Sequence, residues 1–181
     1  ATISVSNGFT ATVKNGSVVG GTSFYNIQVG TAVNSTANLT LEDVTATAGN
    51  TGSSMIDNWG TLTIESGTYE GGLNVVKSEE GSKLTINGGK FTLNHAVSNN
   101  YNGVILSAGM TRITGGEFIQ NATTPRWAYP QVVLAMKEDG YDSKIEITGG
   151  TFTNKKSGDN IFHGTGKATS DNFEVSGGTF N

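Results

Sequence analysis

The sequence contains no cysteine and only two prolines, and it has few charged residues and no long apolar run. The absence of cysteine excludes disulfide bonds and thiolate metal sites. Charged residues make up 14% of the chain and hydrophobic residues 35%. This is neither the composition of a highly charged disordered chain nor that of a compact globule with a large core. No apolar run approaches the roughly 18 residues that a membrane span needs.

Charge and histidine are also scarce. The net charge of −4 argues against nucleic acid or an anionic membrane as the main partner. His95 and His163 are the only histidines, which are too few for a nucleophilic triad or a multi-histidine metal site. We therefore expect no cofactor and no metal. The chain starts at Ala1 without Met or a signal peptide, which we interpret as a processed form or a fragment.

The chain does contain a short repeat that is rich in glycine. It has 26 glycines in all, about twice the usual share. Most copies have two apolar residues around one polar residue, then Ser-Gly or Gly-Gly, then an aromatic residue. The copies are LTIESGTY (62–69), LTINGGKF (84–91), TRITGGEF (111–118), IEITGGTF (145–152) and FEVSGGTF (173–180), with LTLEDVTA (39–46) and ATVKNGSV (11–18) as degenerate forms. The alternation is typical of a strand with one buried face, and glycine permits a sharp turn after it.

A further apolar segment follows in each repeat. These segments are NIQV (26–29), SMI (54–56), NVV (74–76), GVIL (103–106), QVVL (131–134) and NIF (160–162). Each repeat thus predicts strand A, a tight glycine turn, strand B with its inward aromatic residue, a variable loop, strand C and a second variable loop. Stacked repeats of this kind form solenoids, in which the aromatic residues would stack as a ladder.

We therefore predict a single all-β domain over residues 1–181. Its fold is a single-stranded right-handed parallel β-helix, or β-solenoid, of about seven coils with three strands per coil. The first one or two coils, in residues 1–50, are degenerate. GSKLTINGGKF (81–91) and SKIEITGGTF (143–152) resemble the right-handed parallel β-helix repeats of bacterial surface proteins and of phage fibres, tailspikes and capsid appendages.

The resemblance covers nearly the whole chain and implies the same fold. It also implies an extracellular location on a virion or a bacterial cell surface, and a non-enzymatic structural or adhesive function. The fold alone does not determine the function, because it also occurs in pectin-degrading enzymes.

The loops between strands B and C vary most in length, and the two longest, 92–102 and 119–130, come from adjacent coils. Their aromatic, amide and cationic side chains suit a sugar. These candidate ligand-binding residues are His95, Asn99, Asn100, Tyr101, Arg126, Trp127 and Tyr129. The alternative function is therefore a glycan-binding receptor domain whose partner is a cell-surface glycan. A simpler interpretation is that Trp127 and Tyr129 fold back to cover the flank of the solenoid.

A polysaccharide lyase or hydrolase is a less favoured alternative, because such enzymes need clustered carboxylates. Carboxylates do recur between strands C and A, at Asp57, Glu79, Glu80, Glu138, Asp139 and Asp171. Lysines share these turns, at Lys77, Lys83, Lys137, Lys144 and Lys167. Mixed charge of this kind indicates an ordinary solvated edge, so we predict no enzymatic activity and no catalytic residues.

The two ends of a solenoid expose unpaired backbone groups, which invite association. No capping helix follows Ala1 or precedes Asn181 within the sequence. We expect other copies of the chain, or a neighbouring domain, to cover at least one end. Three-fold assembly is implied only by the resemblance to phage fibres and tailspikes.

Overall fold

The computed structural model describes residues 1–21, 24–49, 51–95, 102–123, 131–137 and 143–181. In these ranges the regular structure is β-strand except for one 3-10 turn at Ser170–Asn172. The strands form three sheets of seven strands each, and every pairing within them is parallel. No helix in the described ranges is long and apolar enough to cross a membrane.

Each sheet takes one strand from every coil. The C sheet contains β1 (Ile3–Val5), β4 (Ile27–Val29), β7 (Ile56–Asn58), β10 (Val76–Ser78), β13 (Gly103–Ser107), β16 (Gln131–Lys137) and β19 (Phe162–Gly166). The A sheet contains β2 (Thr10–Lys14), β5 (Asn38–Glu42), β8 (Thr61–Ile64), β11 (Lys83–Ile86), β14 (Met110–Ile113), β17 (Lys144–Ile147) and β20 (Phe173–Val175). The B sheet contains β3 (Ser17–Val19), β6 (Val44–Thr47), β9 (Gly67–Glu70), β12 (Lys90–Leu93), β15 (Glu117–Gln120), β18 (Thr151–Asn154) and β21 (Thr179–Phe180).

The sequence repeat sets the register between coils. Leu62 in β8 lies beside Leu39 in β5 and Leu84 in β11, and Ile86 lies beside Ile64 and Ile113. Because strand residues alternate between two faces, this register stacks the apolar residues at these two positions of strand A on the inside of the column. The predicted β-solenoid of seven coils with three strands per coil is confirmed.

The core is a narrow column that contains the predicted aromatic ladder. Tyr69, Phe91, Phe118 and Phe152 are fully buried, and their ring centroids lie 5.0, 4.9 and 4.7 Å apart in succession. The interplanar angles of 10°, 5° and 6° make each pair a parallel stack. Coils 1 and 2 place smaller residues at this position, so the ladder spans only the later coils.

The turn between strands A and B explains the shared glycine. Gly89 has a φ of 105°, and the equivalent glycines of the other four motif copies have φ between 103° and 118°. Only glycine adopts this region at little cost. Coils 1 and 2 turn differently, because the residue one position earlier, Asn15 or Asp43, takes φ of 53° or 52°. Asparagine and aspartate tolerate that left-handed conformation better than other residues do.

Replacing Gly89 with valine should destabilise the protein by roughly 1–2 kcal/mol, because a β-branched residue is strained at positive φ. A Cβ atom at Gly89 would also lie 3.1 Å from the carbonyl oxygen of Gly67 in the preceding coil. Chemical denaturation measures the loss. Gly21→Val is the control, since a Cβ atom there meets no described atom within 4 Å. Equal losses in the two variants would contradict the turn argument.

At each end of the solenoid, the terminal strand of every sheet has no further strand beside it within the described ranges. In the last coil Val175 is 42% exposed and Phe180 is 41% exposed, although both occupy positions that are buried in earlier coils. The expectation that a second copy or another domain covers such an end stays a prediction.

Candidate functional site

The residues predicted to bind a sugar fall mostly outside the described ranges. His95 is described; it is half-buried and follows β12 in the loop between strands B and C. The other six, Asn99, Asn100, Tyr101, Arg126, Trp127 and Tyr129, lie outside the described residues. Binding through the 92–102 and 119–130 loops therefore stays a prediction.

A groove of about 460 Å³ lies on the outer face of the C sheet, beside the loops that connect strands B and C. Phe24 and Tyr25, just before β4, line it with two aromatic rings. Lys77 from β10 brings a cation, and Leu106 and Met136 from β13 and β16 bring apolar surface. None of the described residues that line this groove was among the residues predicted to bind a sugar.

Buried asparagines fix the loops that form the groove walls. Asn74 lines the groove, is 1% exposed, and donates to the hydroxyl of Ser54 at 3.2 Å. Its Oδ1 accepts from the backbone N–H of Gly103 at 2.8 Å. Asn26 has a similar role in an earlier coil, where it donates to the carbonyl of Thr47 at 2.7 Å. Because these amides bind backbone and side-chain groups of other strands and loops, the walls are tied to the sheets rather than held by the loops alone.

Outward residues of the C sheet form rows that run along the solenoid, and these rows change character along their length. Neighbouring strands align Gln28, Asp57, Lys77, Leu106, Leu134 and His163 in one row. Leu106 and Leu134 are buried although they point away from the column, and with Ala108 and Met136 they form an apolar cluster separate from the main core. The outer face is therefore polar at β4, β7 and β10 and apolar at β13 and β16.

Asp57 is at the centre of the polar region. Its Oδ2 accepts from the indole Nε1 of Trp59 at 3.0 Å and from Nε2 of Gln28 at 3.3 Å. Its Oδ1 is buried and has no hydrogen-bond donor among the described residues, and the residue is only 1% exposed. A buried carboxylate oxygen without a donor is costly, so a proton or a hydrogen-bond donor at this oxygen would stabilise the folded protein.

Lys77 and Glu79 form an ion pair in the same area. Nζ of Lys77 lies 2.5 Å from Oε1 of Glu79, and Glu79 is 5% exposed. Burial raises the pKa of Glu79; Lys77 opposes this shift, and the neighbouring Asp57 adds to it. Burial alone would lower the pKa of Lys77, but the hydrogen bond and charge of Glu79 outweigh it and raise that pKa. Lys77 therefore carries its positive charge at neutral pH.

Tyr25 connects this polar cluster to the groove. Burial raises the pKa of its hydroxyl, and the nearby negative charge of Asp57 raises it further. The phenol consequently stays protonated at neutral pH. Its aromatic ring lines the groove, so Tyr25 offers a ligand both an apolar ring and a polar hydroxyl.

The prediction of a solvated edge is wrong for Asp57 and Glu79. Asp57 lies within β7 rather than in a turn, and Glu79 follows β10 directly; both are buried. The reason is that four of the six predicted C strands start later than predicted, for example at Val76 rather than at Asn74, whereas β13 and β16 start at the predicted residues. The signal that could have placed them is the two-residue spacing from Asp57 to Trp59 and from Lys77 to Glu79.

The other carboxylates of the predicted stripe do not join this cluster. Glu80 is half-buried and Asp171 is exposed, while Glu138 and Asp139 lie outside the described residues. Among the residues that the structure describes, no three His, Asp or Glu side chains are grouped so that they could hold a metal ion.

The geometry thus combines two aromatic rings, a lysine and apolar side chains on walls that are tied to a rigid sheet. The two carboxyl groups nearest the groove are buried behind Lys77 and are not among the described residues that line it. Such a surface can bind a ligand that has both apolar and polar faces. Comparisons of the chain with protein-family models, with curated proteins and with solved structures find no match.

Proposed function

We propose that this chain is a non-enzymatic adhesive module of a virion or bacterial surface, and that it binds a cell-surface glycan in the C-sheet groove. The observation that carries the proposal is the pair of aromatic rings at the groove. Phe24 is 70% exposed, and its ring centroid lies 6.4 Å from that of Tyr25 at an interplanar angle of 52°. Sugar rings pack their apolar faces on aromatic side chains, while their hydroxyls pair with polar groups such as those of Lys77 and Ser54.

The backbone at Phe24 supports a binding role for its ring. Its φ is 46°, in the left-handed region that bulky residues rarely adopt. Strained residues of this kind cluster at binding sites, where the strain presents a side chain in a required direction. The strained backbone distinguishes Phe24 from Phe9, which is similarly exposed but has no positive φ.

The size of the groove supports a small ligand or a short stretch of a polymer. Its volume of about 460 Å³ falls within the range that is usual for small-molecule sites. The groove crosses strands β10, β13 and β16 of one parallel sheet, which suits an extended chain of sugar units.

Binding without catalysis is favoured by the burial of the carboxyl groups. A catalytic acid or base must come within hydrogen-bond reach of the substrate. Asp57 is 1% exposed and Glu79 is 5% exposed, and neither is among the described residues that line the groove. Glu79 pairs with Lys77, Asp57 accepts from Gln28 and Trp59, and both carboxyl groups are poorly placed to transfer a proton to a bound sugar.

We expect glycan binding to be lost when Phe24 is replaced with alanine, because the exposed ring would no longer pack on the sugar. Binding of the wild type and the variants to a glycan array measures this. Phe9→Ala is a matched control, since Phe9 is 67% exposed but is not among the described residues that line the groove. Loss of binding in both variants, or in neither, would contradict the assignment of the groove as the glycan site.

The same array separates the alternatives. Binding that is lost in Trp127→Ala but kept in Phe24→Ala would assign recognition to the 92–102 and 119–130 loops instead. No binding by the wild type to any glycan would favour a purely structural module. Release of unsaturated uronic-acid ends from a polysaccharide, measured by absorbance, would identify a lyase and overturn the non-enzymatic proposal.

A further inference from the structure

Two carboxyl groups and one lysine lie together on the polar region of the outer C sheet. Asp57 and Lys77 are register partners on neighbouring strands, β7 and β10. Glu79 lies two residues after Lys77, so its side chain emerges on the same face, diagonally across from Asp57. The charge of Asp57 is close enough to contribute to the raised pKa of Glu79.

Each of the two carboxyl groups already has one oxygen with a partner. Oδ2 of Asp57 accepts two hydrogen bonds, from Trp59 and Gln28, and Oε1 of Glu79 faces the ammonium group of Lys77. Oδ1 of Asp57 is buried and has no donor within the described ranges. Two ionised carboxylates beside one lysine would leave a net negative charge in a buried place, and two like charges this close do not both ionise readily.

We propose that Asp57 and Glu79 share one proton, which Glu79 carries on Oε2 and donates to Oδ1 of Asp57. This arrangement gives the buried oxygen its missing donor and leaves Oε1 of Glu79 free to accept from Lys77. The three groups are then a positive lysine, a neutral glutamic acid and a negative aspartate, with no net charge.

The described residues that surround the cluster bring no other charge that would change this balance. From the preceding coil, Gln28 and the hydroxyl of Tyr25 face the cluster, and the hydroxyl is neutral at neutral pH because its pKa is raised. The next coil contributes the apolar side chains of Leu106 and Ala108. Burial, together with the proximity of Asp57, raises the pKa of Glu79 in the folded protein, although Lys77 opposes the shift. The shared proton belongs to Asp57 and Glu79, and its assignment does not depend on whether the groove takes a sugar.

The raised pKa of Glu79 determines how the stability of the folded protein changes with pH. The ordinary pKa of a glutamic acid side chain is 4.5, and in the folded protein that of Glu79 is higher. Its contribution to stability is fully present below about pH 4.5, and it is lost as the pH rises through the folded pKa. Above that pH the cluster carries a net negative charge behind the groove.

Carbon-13 NMR of the glutamate carboxyl groups tests the proposal on the wild-type protein. The signal of Glu79, assigned by its disappearance in Glu79→Gln, should keep its protonated chemical shift as the pH rises above 4.5, the ordinary pKa of a glutamic acid side chain. A change to the ionised chemical shift centred at or below pH 4.5 would overturn the proposal.

Glu79→Gln gives an independent test, because its amide imitates the protonated acid. The amide nitrogen can donate to Asp57 while the amide oxygen accepts from Lys77. The thermal midpoint of the wild type should fall between pH 5 and pH 8, and that of Glu79→Gln should fall much less. Glu80→Gln is the matched control and should behave as the wild type does. An equal fall in Glu79→Gln and the wild type would overturn the proposal, and if that variant does not fold, the wild-type titration decides.

Discussion

Replacing Phe91 with alanine is expected to lower the free energy of unfolding by about 3–5 kcal/mol. Phe91 is fully buried at the centre of the ladder, with its ring 5.0 Å from that of Tyr69 and 4.9 Å from that of Phe118. Alanine would leave a cavity and break two ring stacks at once, each worth about 0.5–1.5 kcal/mol beyond its buried area. The neighbouring coils cannot close the gap, because their backbones are fixed by hydrogen bonds on both sides.

Chemical denaturation of Phe91→Ala and Phe9→Ala provides the comparison. Phe9 is 67% exposed, so its replacement should change stability by less than about 0.5 kcal/mol. A loss below about 1 kcal/mol for Phe91→Ala would mean that the ladder adds little to the core, against the size expected for a buried phenylalanine.

Replacing Lys77 with methionine is expected to cost on the order of 3 kcal/mol at pH 8 and clearly less at pH 5. Removing one partner of a buried ion pair leaves the opposite charge uncompensated. Lys77 is 28% exposed, so water screens some of this effect and the cost lies at the lower end of the usual range. At pH 5 the cost shrinks because Glu79 can remain protonated, which leaves one uncompensated carboxylate, that of Asp57, instead of two.

Denaturant titrations at the two pH values measure both the loss and its pH dependence. Lys83→Met is the control, because Lys83 starts β11 on an exposed position of the A sheet. It should change stability by less than about 0.5 kcal/mol at either pH. A loss in Lys77→Met that is the same at pH 5 and pH 8 would show that packing of the side chain, rather than its charge, stabilises this region.

Strands A and B were predictable because the motif contains both the alternation and the glycine turn. The segment LTI before Asn87 corresponds to β11, and the turn residue Gly89 has the positive φ that its position requires. Strand C was placed too early in four of six coils, among them the coil of β10. Val75 and Val76 are both buried in the column, at the bend where the chain enters the C sheet. Two successive inward residues hide the alternation, and the strand cannot be phased from the sequence there.

That error in phase also concealed the candidate site. Asp57 and Lys77 were interpreted as turn residues, whereas the sheet places them side by side on its outer face. The position of Glu79 depends on the register between coils rather than on local sequence, since its backbone N–H donates to the carbonyl of Asn58 in the preceding coil. The groove could not be predicted from local sequence for the same reason, since its lining residues Phe24 and Met136 are far apart in the chain.

The direction of the backbone hydrogen bonds has a mechanical consequence. In a stack of parallel coils these bonds run along the axis of the rod, so a pull along that axis stretches the bonds between successive coils one after another. Resistance to such a pull is set by single interfaces between coils, because each coil contacts mainly its two neighbours. A rod built in this way can lose its outermost coil under load and still keep the remaining coils folded.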